Sequence, residues 1–533
     1  MISRPASGSR AFFPQSRIGL ILAASGAVIC LAVVHCCIST CDHDEIEHLH
    51  ASWLVGDGAV PFRDFLEHHH PTLYYLYAPL TSWLDGSPRA LVATGRIINL
   101  LLFLVMVVAL EHFRTGRFRW KEVPWTAPIL LGSWTFVRNA LEVRPDPFMN
   151  LFCVLGLTSW LLFLRDARGG RALASGVCFA IATAFLQKAA VLCVLLALGS
   201  AALALRKHVP AARIACGGLL LVSGAVVPTM AFVALIHAGG FWTEFVFWNY
   251  TFNHFYYLRS GTVSFSPWPT LAVAVAEDPI PWVLGVAASI TAIRGFLRPT
   301  GIPTKPAHTL ALVIIVAGLV ASFVQSALPF SHNLLMVYPA LALMAAGELE
   351  KIERTRWRNL SALLLLSMLA KVTVLCIVYN ENKGHYTVQG WILRHTAPSE
   401  TVYAPPPYHP IFRRDSSYFW FDGTKKPLAY ETYCRAHSCT DDKLVAERRA
   451  WAEGPPLIVF APPDEKDWWP FEWNLHSARY EPVPLIPGLY KLRDNVQNLC
   501  NNRAPPARVT SFHPDAICDS RSGSSERGSL CHE

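Results

Sequence analysis

Charged residues are scarce in this chain. Asp, Glu, Lys and Arg make up 16% of its 533 residues, whereas hydrophobic residues make up 52%. A soluble globular protein carries roughly 25% charged residues, so the composition excludes an ordinary soluble enzyme. Several apolar runs reach the roughly 20 residues that cross the hydrocarbon layer of a bilayer. The composition therefore predicts a polytopic helical membrane protein.

Three further absences narrow the class. The net charge is +8, but Lys and Arg are spread over short loops and form no single basic patch, so nothing indicates a nucleic-acid partner. No internal repeat with a solenoid period is visible. Residues 18–38 are longer than the apolar core of a typical signal peptide, and no clean cleavage site of small residues follows them. We therefore expect a retained membrane anchor.

The apolar runs predict about eleven transmembrane helices. They cover residues 18–38, 90–110, 126–137, 146–164, 172–187, 189–205, 214–237, 270–293, 307–326, 333–348 and 358–378, with a half-inserted helix at 74–84. Lys and Arg favour cytoplasmic loops, and alternate loops hold twenty of them. The N-terminus is therefore predicted to be cytoplasmic, in the inner membrane if the host is bacterial.

The predicted fold is an all-α polytopic membrane domain, residues 1–380, whose first outer loop is 39–88. From residue 381 the sequence becomes polar and rich in proline, which predicts a small soluble α/β extracytoplasmic domain over 381–500. Residues 501–533 are expected to form a disordered tail. Cys434 and Cys439 predict a disulfide of an oxidising compartment, and a metal site is the alternative.

Acidic residues follow the first span directly. Ionised carboxylates beside hydrocarbon are costly unless they have a role or a partner. If this segment is helical, Asp44, Glu47 and His48 share one face. Asp44 could then accept a proton from an acceptor hydroxyl, and partial burial is expected to raise its pKa toward a useful value. The alternative is a solvated acidic loop that balances nearby arginines.

Further along the loop, Glu67 precedes three consecutive histidines and a tyrosine-rich run. A divalent metal held by Glu67 and His69 is one interpretation. A hydrogen-bonded network that shapes a pocket is the other, and the sequence identifies no certain cofactor. The tyrosines, including Tyr74, fit an interfacial aromatic belt equally well.

Cationic residues occur where later apolar runs break. Arg144 precedes Asp146 at a point of membrane re-entry, and an arginine can hold a phosphate with two parallel hydrogen bonds. Asp146 has helix capping as its alternative role. Lys188 lies between two apolar runs, where either an anionic head group or snorkelling to the interface would satisfy it.

Two outer segments add candidates. The aromatic loop 238–269 contains Arg259 and the glycosylation sequon at Asn249, and it predicts either a surface helix beside a lipid entry groove or an aromatic belt. His332 precedes the tenth predicted span and could face the same cavity as the cations.

Together these elements resemble the polytopic glycosyltransferases with the GT-C fold, in particular the family 39-like group that includes protein O-mannosyltransferases and lipid A aminoarabinose transferases. The resemblance covers most of residues 18–350. It rests on Asp44-Glu45 after the first span, the stretch from Gly58 to Tyr75, Arg144-Pro145-Asp146, Lys188 and the span that begins at His332.

The resemblance implies an inverting transfer of a hexosyl or pentosyl group from a polyprenyl-phosphate sugar to a lipid, glycan or protein acceptor of the cell envelope. It makes Asp44 the general base and Glu45 the group that positions the acceptor. The donor phosphate would be held by Arg144, Lys188 and Arg259. The pocket would be lined by Glu67, His69, His70, Tyr74, Asp146 and His332. Relatives carry Glu-Lys-Pro-Pro near Glu67, so His69 or His70 is expected to replace that lysine.

Two other functions stay open at this point. A transporter or a flippase for lipid-linked sugars would also bury charges in its spans, although no inverted pair of broken helices is visible in the sequence. A structural or assembly protein would use the C-terminal domain for docking.

Overall fold

A computed structural model describes residues 15–115, 125–205, 207–259, 266–297, 304–326, 329–355, 357–378, 384–463 and 469–494. The predicted tail, with Cys518 and Cys531, lies outside the described residues, as does Cys500.

Helices make up the part of the chain before residue 380. They are α1 (Gln15–Ile38), α2 (His43–Gly56), α3 (Thr72–Trp83), α4 (Pro88–Thr115), α5 (Thr126–Leu131), α6 (Trp134–Leu141), α7 (Pro145–Asp166), α8 (Gly169–Phe185), α9 (Ala189–Leu205), α10 (Ala211–Ala238), α11 (Trp242–Val246), the π-helix Phe247–Phe252, α12 (Asn253–Leu258), α13 (Pro267–Glu277), α14 (Pro279–Leu297), α15 (Thr304–Val324), the 3₁₀-helix Ser331–Leu334, α16 (Val337–Glu353) and α17 (Arg358–Val378).

Each predicted span coincides with one of these helices or with a pair of them. Among the described residues, five helices are long and apolar enough to cross a membrane by themselves, or six if the bent pair α13–α14 is one span. The two members of that pair meet at 97°. The count of eleven spans therefore stays a prediction, while the helical polytopic architecture is confirmed.

Small residues let neighbouring apolar helices approach closely. A Cβ atom at Gly176 of α8 would lie 1.8 Å from the carbonyl oxygen of Leu221 in α10, and one at Gly224 would lie 2.1 Å from that of Leu173. Close backbone approach at small residues is a usual way for membrane helices to pack. The two glycines therefore set the spacing of α8 and α10.

The chain after residue 384 is a small α/β unit, as predicted. Its helices are α18 (His385–His395), α19 (Lys425–His437), α20 (Asp442–Glu453) and α21 (Trp473–His476), and its strands are β1 (Thr401–Tyr403), β2 (Arg414–Asp415), β3 (Ile458–Phe460), β4 (Tyr480–Pro482) and β5 (Leu489–Leu492). The strand order is β2-β1-β3-β5-β4. β1 pairs in parallel with β2 and β3, whereas β5 is antiparallel to β3 and β4. Cys434 and Cys439 are free thiols, so the predicted disulfide is not formed.

This C-terminal domain packs on the segment of residues 39–88, the predicted first outer loop. The Tyr418 hydroxyl donates to the Phe62 carbonyl at 2.5 Å, and the Lys443 ammonium donates to the Arg63 carbonyl at 2.7 Å. On α2, Nε2 of His50 lies 2.5 Å from Oδ2 of Asp415. The loop that carries the predicted base is therefore held between the helical domain and the sheet.

Candidate active site

Helix α2 begins with a reciprocal cap. The Asp42 side chain accepts from the Asp44 backbone N–H at 3.1 Å, and the Glu45 carboxylate accepts from the Asp42 backbone N–H at 2.9 Å. Such a capping box fixes the first turn of a helix. The helical prediction for this segment is correct, and the cap decides which acid faces outward.

Glu45 is directed into the protein. Its carboxylate accepts from Nε and Nη2 of Arg96 at 2.7 and 2.5 Å and from the Val143 backbone N–H at 3.1 Å, and the side chain is fully buried. Together with the Asp42 N–H, these donors give each carboxylate oxygen two hydrogen bonds. Glu45 therefore ties α2 to α4 and to the segment between α6 and α7, and it has no free oxygen for an acceptor.

Asp44, by contrast, faces the neighbouring cations. Its Oδ2 lies 2.6 Å from Nη2 of Arg144. Arg144 also approaches Glu142 at 3.3 Å and Asp146 at 3.5 Å. Asp146 in turn forms an ion pair with the Lys188 ammonium. The structure thus brings Asp44, Arg144, Asp146 and Lys188 together as one series of alternating charges.

The two ends of this series of charges are partly exposed and its middle is buried. The side chains of Asp44 and Lys188 are 27% and 26% exposed, whereas those of Arg144 and Asp146 are 6% and 3% exposed. Burial opposes ionisation of Asp44, but the Arg144 guanidinium overrides it and holds the pKa of Asp44 well below its usual range. The expectation of a raised pKa for Asp44 is wrong, because the ion pair with Arg144 outweighs burial.

Three neighbouring residues complete this part of the site. Lys188 donates to Oδ1 of Asn333 at 3.1 Å, next to His332. Burial, followed by the charge of Arg144, lowers the pKa of His332 well below its ordinary value, so His332 is neutral there. Burial and the charge of Asp42 raise the pKa of Glu142 to about 8. Glu142 is therefore mostly protonated at neutral pH, and it accepts from Nη1 of Arg144 while Asp44 faces Nη2.

One helical turn further along α2, a second cluster joins the two halves of the first loop. Ligand atoms of Glu47, Glu67, His68 and His69 all lie within 4.8 Å of one another. Nδ1 of His68 is 3.4 Å from Glu47 and 3.3 Å from Glu67, and Nδ1 of His69 is 3.3 Å from Glu67. The same residues could therefore form either the predicted hydrogen-bonded network or the predicted metal site.

The donor set of this cluster fits a divalent metal. Oε1 of Glu47, Oε2 of Glu67 and Nδ1 of His68 are buried without a hydrogen-bond partner among the described residues. Burial and the Glu67 charge raise the pKa of Glu47 well above its usual value. Burial also opposes ionisation of Glu67, but the nearby His68 and His69 lower the pKa of Glu67. Two carboxylates and two imidazoles are typical ligands for zinc and its neighbours.

The other predicted pocket residues lie around this cluster. Nδ1 of His70 lies 2.9 Å from the Thr183 carbonyl, and its Nε2 lies 3.1 Å from the Tyr250 hydroxyl, so His70 connects the loop to α8 and the π-helix. Tyr74 is fully buried, with its ring centroid 6.0 Å from that of His48.

Arg259 is not brought to this site. It is exposed at the C-terminal end of α12, and none of the described contacts joins it to Arg144 or Lys188. Asn249 of the sequon is 2% exposed within the π-helix, so its amide is inaccessible in the folded chain.

No family model and no curated protein matches the sequence. Solved structures do match the fold. ArnT from Cupriavidus metallidurans, bound to undecaprenyl phosphate, has a TM-score of 0.61 and 13% identity over 89% of this chain and 98% of its own. The oligosaccharyltransferase AglB from Archaeoglobus fulgidus, in complex with an inhibitory peptide and a dolichol-phosphate, has a TM-score of 0.53 and 11% identity over 91% of this chain and 74% of its own.

A further structure of an Archaeoglobus fulgidus oligosaccharyltransferase, in complex with Zn and sulfate, has a TM-score of 0.50 and 11% identity over 86% of this chain and 71% of its own. At these identities the likeness shows the fold. The chain is a multi-pass membrane protein with the GT-C fold, as the resemblance implied.

Proposed function

We propose that this multi-pass GT-C protein is a glycosyltransferase that moves a sugar from a polyprenyl-phosphate donor to a lipid, glycan or protein acceptor. The observation that carries the proposal is the 2.6 Å ion pair between the partly exposed Asp44 and the buried Arg144. A carboxylate base and a phosphate-binding guanidinium side by side are the two groups that such a transfer needs. That ArnT and AglB are described with polyprenyl or dolichol phosphates supports this donor class.

The ion pair suggests how the base is controlled. Before substrate binds, Arg144 holds Asp44 ionised, and such a strongly stabilised carboxylate is a weak base. A donor phosphate that takes the Arg144 guanidinium replaces Asp44 as its partner. The pKa of Asp44 then rises toward the range in which it accepts a proton, so donor binding activates the base.

These groups account for each bond and each proton that changes in the transfer step. The acceptor hydroxyl oxygen forms a bond to the anomeric carbon as the bond from that carbon to the phosphate oxygen breaks. The electron pair stays on the phosphate, and the hydroxyl proton goes to Asp44. The departing phosphate gains charge, which Arg144 stabilises directly and Lys188 supports through Asp146. Attack from the face opposite to the phosphate inverts the anomeric centre.

The second cluster is proposed as the place of a divalent metal, if the reaction uses one. Glu47, Glu67, His68 and His69 would hold it, and it would supply a Lewis acid close to Asp44.

The orientation of the membrane domain follows the positive-inside rule. The N-terminus is then cytoplasmic, and the site together with residues 381–500 lies on the extracytoplasmic face.

The bend between α13 and α14 is the structural feature that would most favour a transporter, but its polar groups are occupied by the protein itself. A broken helix is where many transporters bind substrate. Asp278 at this bend, however, accepts from the backbone N–H groups of Trp134 and Thr135 at 2.7 and 3.1 Å, from the Tyr338 hydroxyl at 2.8 Å and from Lys371 at 2.6 Å. Its carboxylate is saturated by the protein and braces the bend.

The direct test uses the full chain purified in lipid nanodiscs and supplied with polyprenyl-phosphate sugars. Transfer to added acceptors is followed by mass spectrometry, for wild type and for Asp44→Asn. Asp64→Asn is the matched control, because Asp64 lies in the same loop but is exposed and paired with Arg63. If Asp44→Asn transfers as fast as wild type, Asp44 is not the base. Passage of unmodified substrate across liposomes would instead support transport.

A further inference from the structure

A lysine of the C-terminal domain is buried beside the first-loop cluster. Lys426 lies in the first turn of α19, and only 4% of it is exposed. Its Nζ is 4.2 Å from the ring centroid of Phe421 and 5.6 Å from that of Tyr256. Cation–π contacts of this kind compensate part of the cost of burying an ammonium group.

The Lys426 ammonium lacks a polar partner within the described part of the chain. It forms neither a hydrogen bond nor an ion pair there, and it contacts the rings of Phe421 and Tyr256 instead. The adjacent Asp422 is engaged elsewhere, because it accepts from the Lys425 backbone N–H at 3.0 Å and from the Tyr256 hydroxyl at 3.3 Å. A buried lysine with three free donors is costly unless it has a partner or a function.

Lys426 nevertheless lies in the electrostatic field of the active site. Burial lowers its pKa, and the charges of Asp422, Glu47, Glu67 and Asp44 act in the opposite direction. Glu47 and Glu67 each keep a buried oxygen without a hydrogen bond among the described residues.

A plain counter-ion role would place the ammonium against one of these carboxylates. No carboxylate oxygen among the described residues lies within 4.0 Å of it. The unpaired ammonium is held instead on two aromatic rings, which fix its position without saturating its N–H groups. This arrangement leaves all three N–H groups for a bound ligand.

We propose that Lys426 binds a phosphate oxyanion of the substrate, so that the C-terminal domain supplies a third cation to the cleft formed around Asp44, Arg144 and Lys188. The inference rests on the proposed glycosyl transfer and deepens it. It makes residues 384–494 part of the active site rather than a docking module. The phosphate could belong to the lipid donor or to the acceptor, and the two sources are separable by experiment.

The experiment measures binding and transfer on the full chain in nanodiscs. Undecaprenyl phosphate and inorganic pyrophosphate are the probes, titrated against wild type, Lys426→Met and Lys426→Arg. Lys443→Met is the matched control. Lys443 also lies over an aromatic ring, at 4.2 Å from Tyr418, but its ammonium is satisfied by the Arg63 carbonyl. Thermal unfolding checks that each variant is folded.

We expect Lys426→Met to weaken undecaprenyl phosphate binding about tenfold or more, as the loss of a charged hydrogen bond does, with Lys426→Arg close to wild type and Lys443→Met unchanged. If lipid binding is unchanged but KM for the acceptor rises about tenfold, the phosphate belongs to the acceptor. If a folded Lys426→Met keeps both the lipid affinity and the acceptor KM, the proposal is wrong. A wild type that binds pyrophosphate through Lys426 but neither binds the lipid nor transfers sugar would refute the proposed function while the oxyanion site stands.

Discussion

The Asp44 carboxylate lies 2.6 Å from Nη2 of Arg144, and it is one of the two partly exposed ends of a series of charges that runs through Asp146 to Lys188. In the proposed mechanism this relationship joins the base to the phosphate site. A ligand that takes the Arg144 guanidinium would change the basicity of Asp44, so donor binding and proton transfer would be coupled through one guanidinium.

Asp44→Asn is therefore expected to separate binding from chemistry. Transfer should fall by about 10²- to 10⁴-fold, the usual contribution of a general base. The affinity for undecaprenyl phosphate should stay the same or increase, because Arg144 no longer has a competing carboxylate. Titration of the purified variant with the lipid measures this directly. A loss of lipid affinity in parallel with transfer would show that Asp44 helps to hold the donor.

The pair of Glu45 and Arg96 is expected to matter for stability before it matters for catalysis. Breaking a buried ion pair by removing one partner costs about 3–5 kcal/mol, so Glu45→Gln should lower the melting temperature markedly. The exposed pair of Arg63 and Asp64 is the matched control, for which the cost should be under about 1 kcal/mol. Equal melting temperatures for Glu45→Gln and Asp64→Asn would contradict the buried arrangement.

Glu142 gives a pH dependence with a defined sign. Its pKa is raised from 4.5 to about 8 in the folded chain, so the folded state keeps a proton that the unfolded state releases. This stabilisation is complete below pH 4.5 and is lost as the pH rises through 8. Glu142→Gln cannot titrate. The melting temperature of Glu142→Gln should therefore rise relative to that of wild type as the pH is raised from 5 to 8.5. If the difference between the two melting temperatures is constant over this range, Glu142 is ionised in the folded chain.

Metal binding at the second cluster is expected to stabilise the fold. Addition of Zn²⁺ or Mn²⁺ to chelator-treated protein should raise the melting temperature by several degrees, since ligand at 100 times its Kd adds about 2.7 kcal/mol. Glu67→Gln should abolish most of this shift.

The group formed by His50, His409 and Asp415 is the control for that experiment. Its ligand atoms also lie within 4.8 Å of one another. Nδ1 of His409, however, accepts from the Ile411 backbone N–H at 3.0 Å, so its Nε2 carries the proton and cannot bind a metal. Asp415→Asn should therefore leave the metal-induced shift intact. If Asp415→Asn removes the shift and Glu67→Gln does not, the metal assignment is wrong.

The sequence predicted the positions of the helices well, because apolar runs and basic loops are local signals. It also singled out Asp44, Arg144 and Lys188 through their unusual places beside apolar runs, and the structure brings these residues together. The resemblance made Asp44 the base and Glu45 the group that positions the acceptor, but the sequence could not show that Glu45 faces inward, since that depends on the capping box and on Arg96. It misjudged the pKa of Asp44 because the distance to Arg144, one hundred residues along the chain, has no local signature.

Arg96, Glu142 and Lys426 were missed for the same physical reason. Arg96 lies inside a predicted span, where a single arginine was the only signal available. Lys426 is one of several lysines in a polar region, and its burial follows from how α19 packs on the first loop. Such long-range packing has no counterpart in periodicity or composition.

The seating of the C-terminal domain on α2 also imposes an order on biogenesis. Asp44 and Lys426 are separated by 382 positions, which take on the order of half a minute to synthesise at 5–20 residues per second. The first loop is synthesised early, yet partners such as Asp415 and Tyr418 follow only after every intervening helix. A ribosome-bound chain would thus carry its acids and histidines without these partners for most of its synthesis, and a truncated product would lack these contacts.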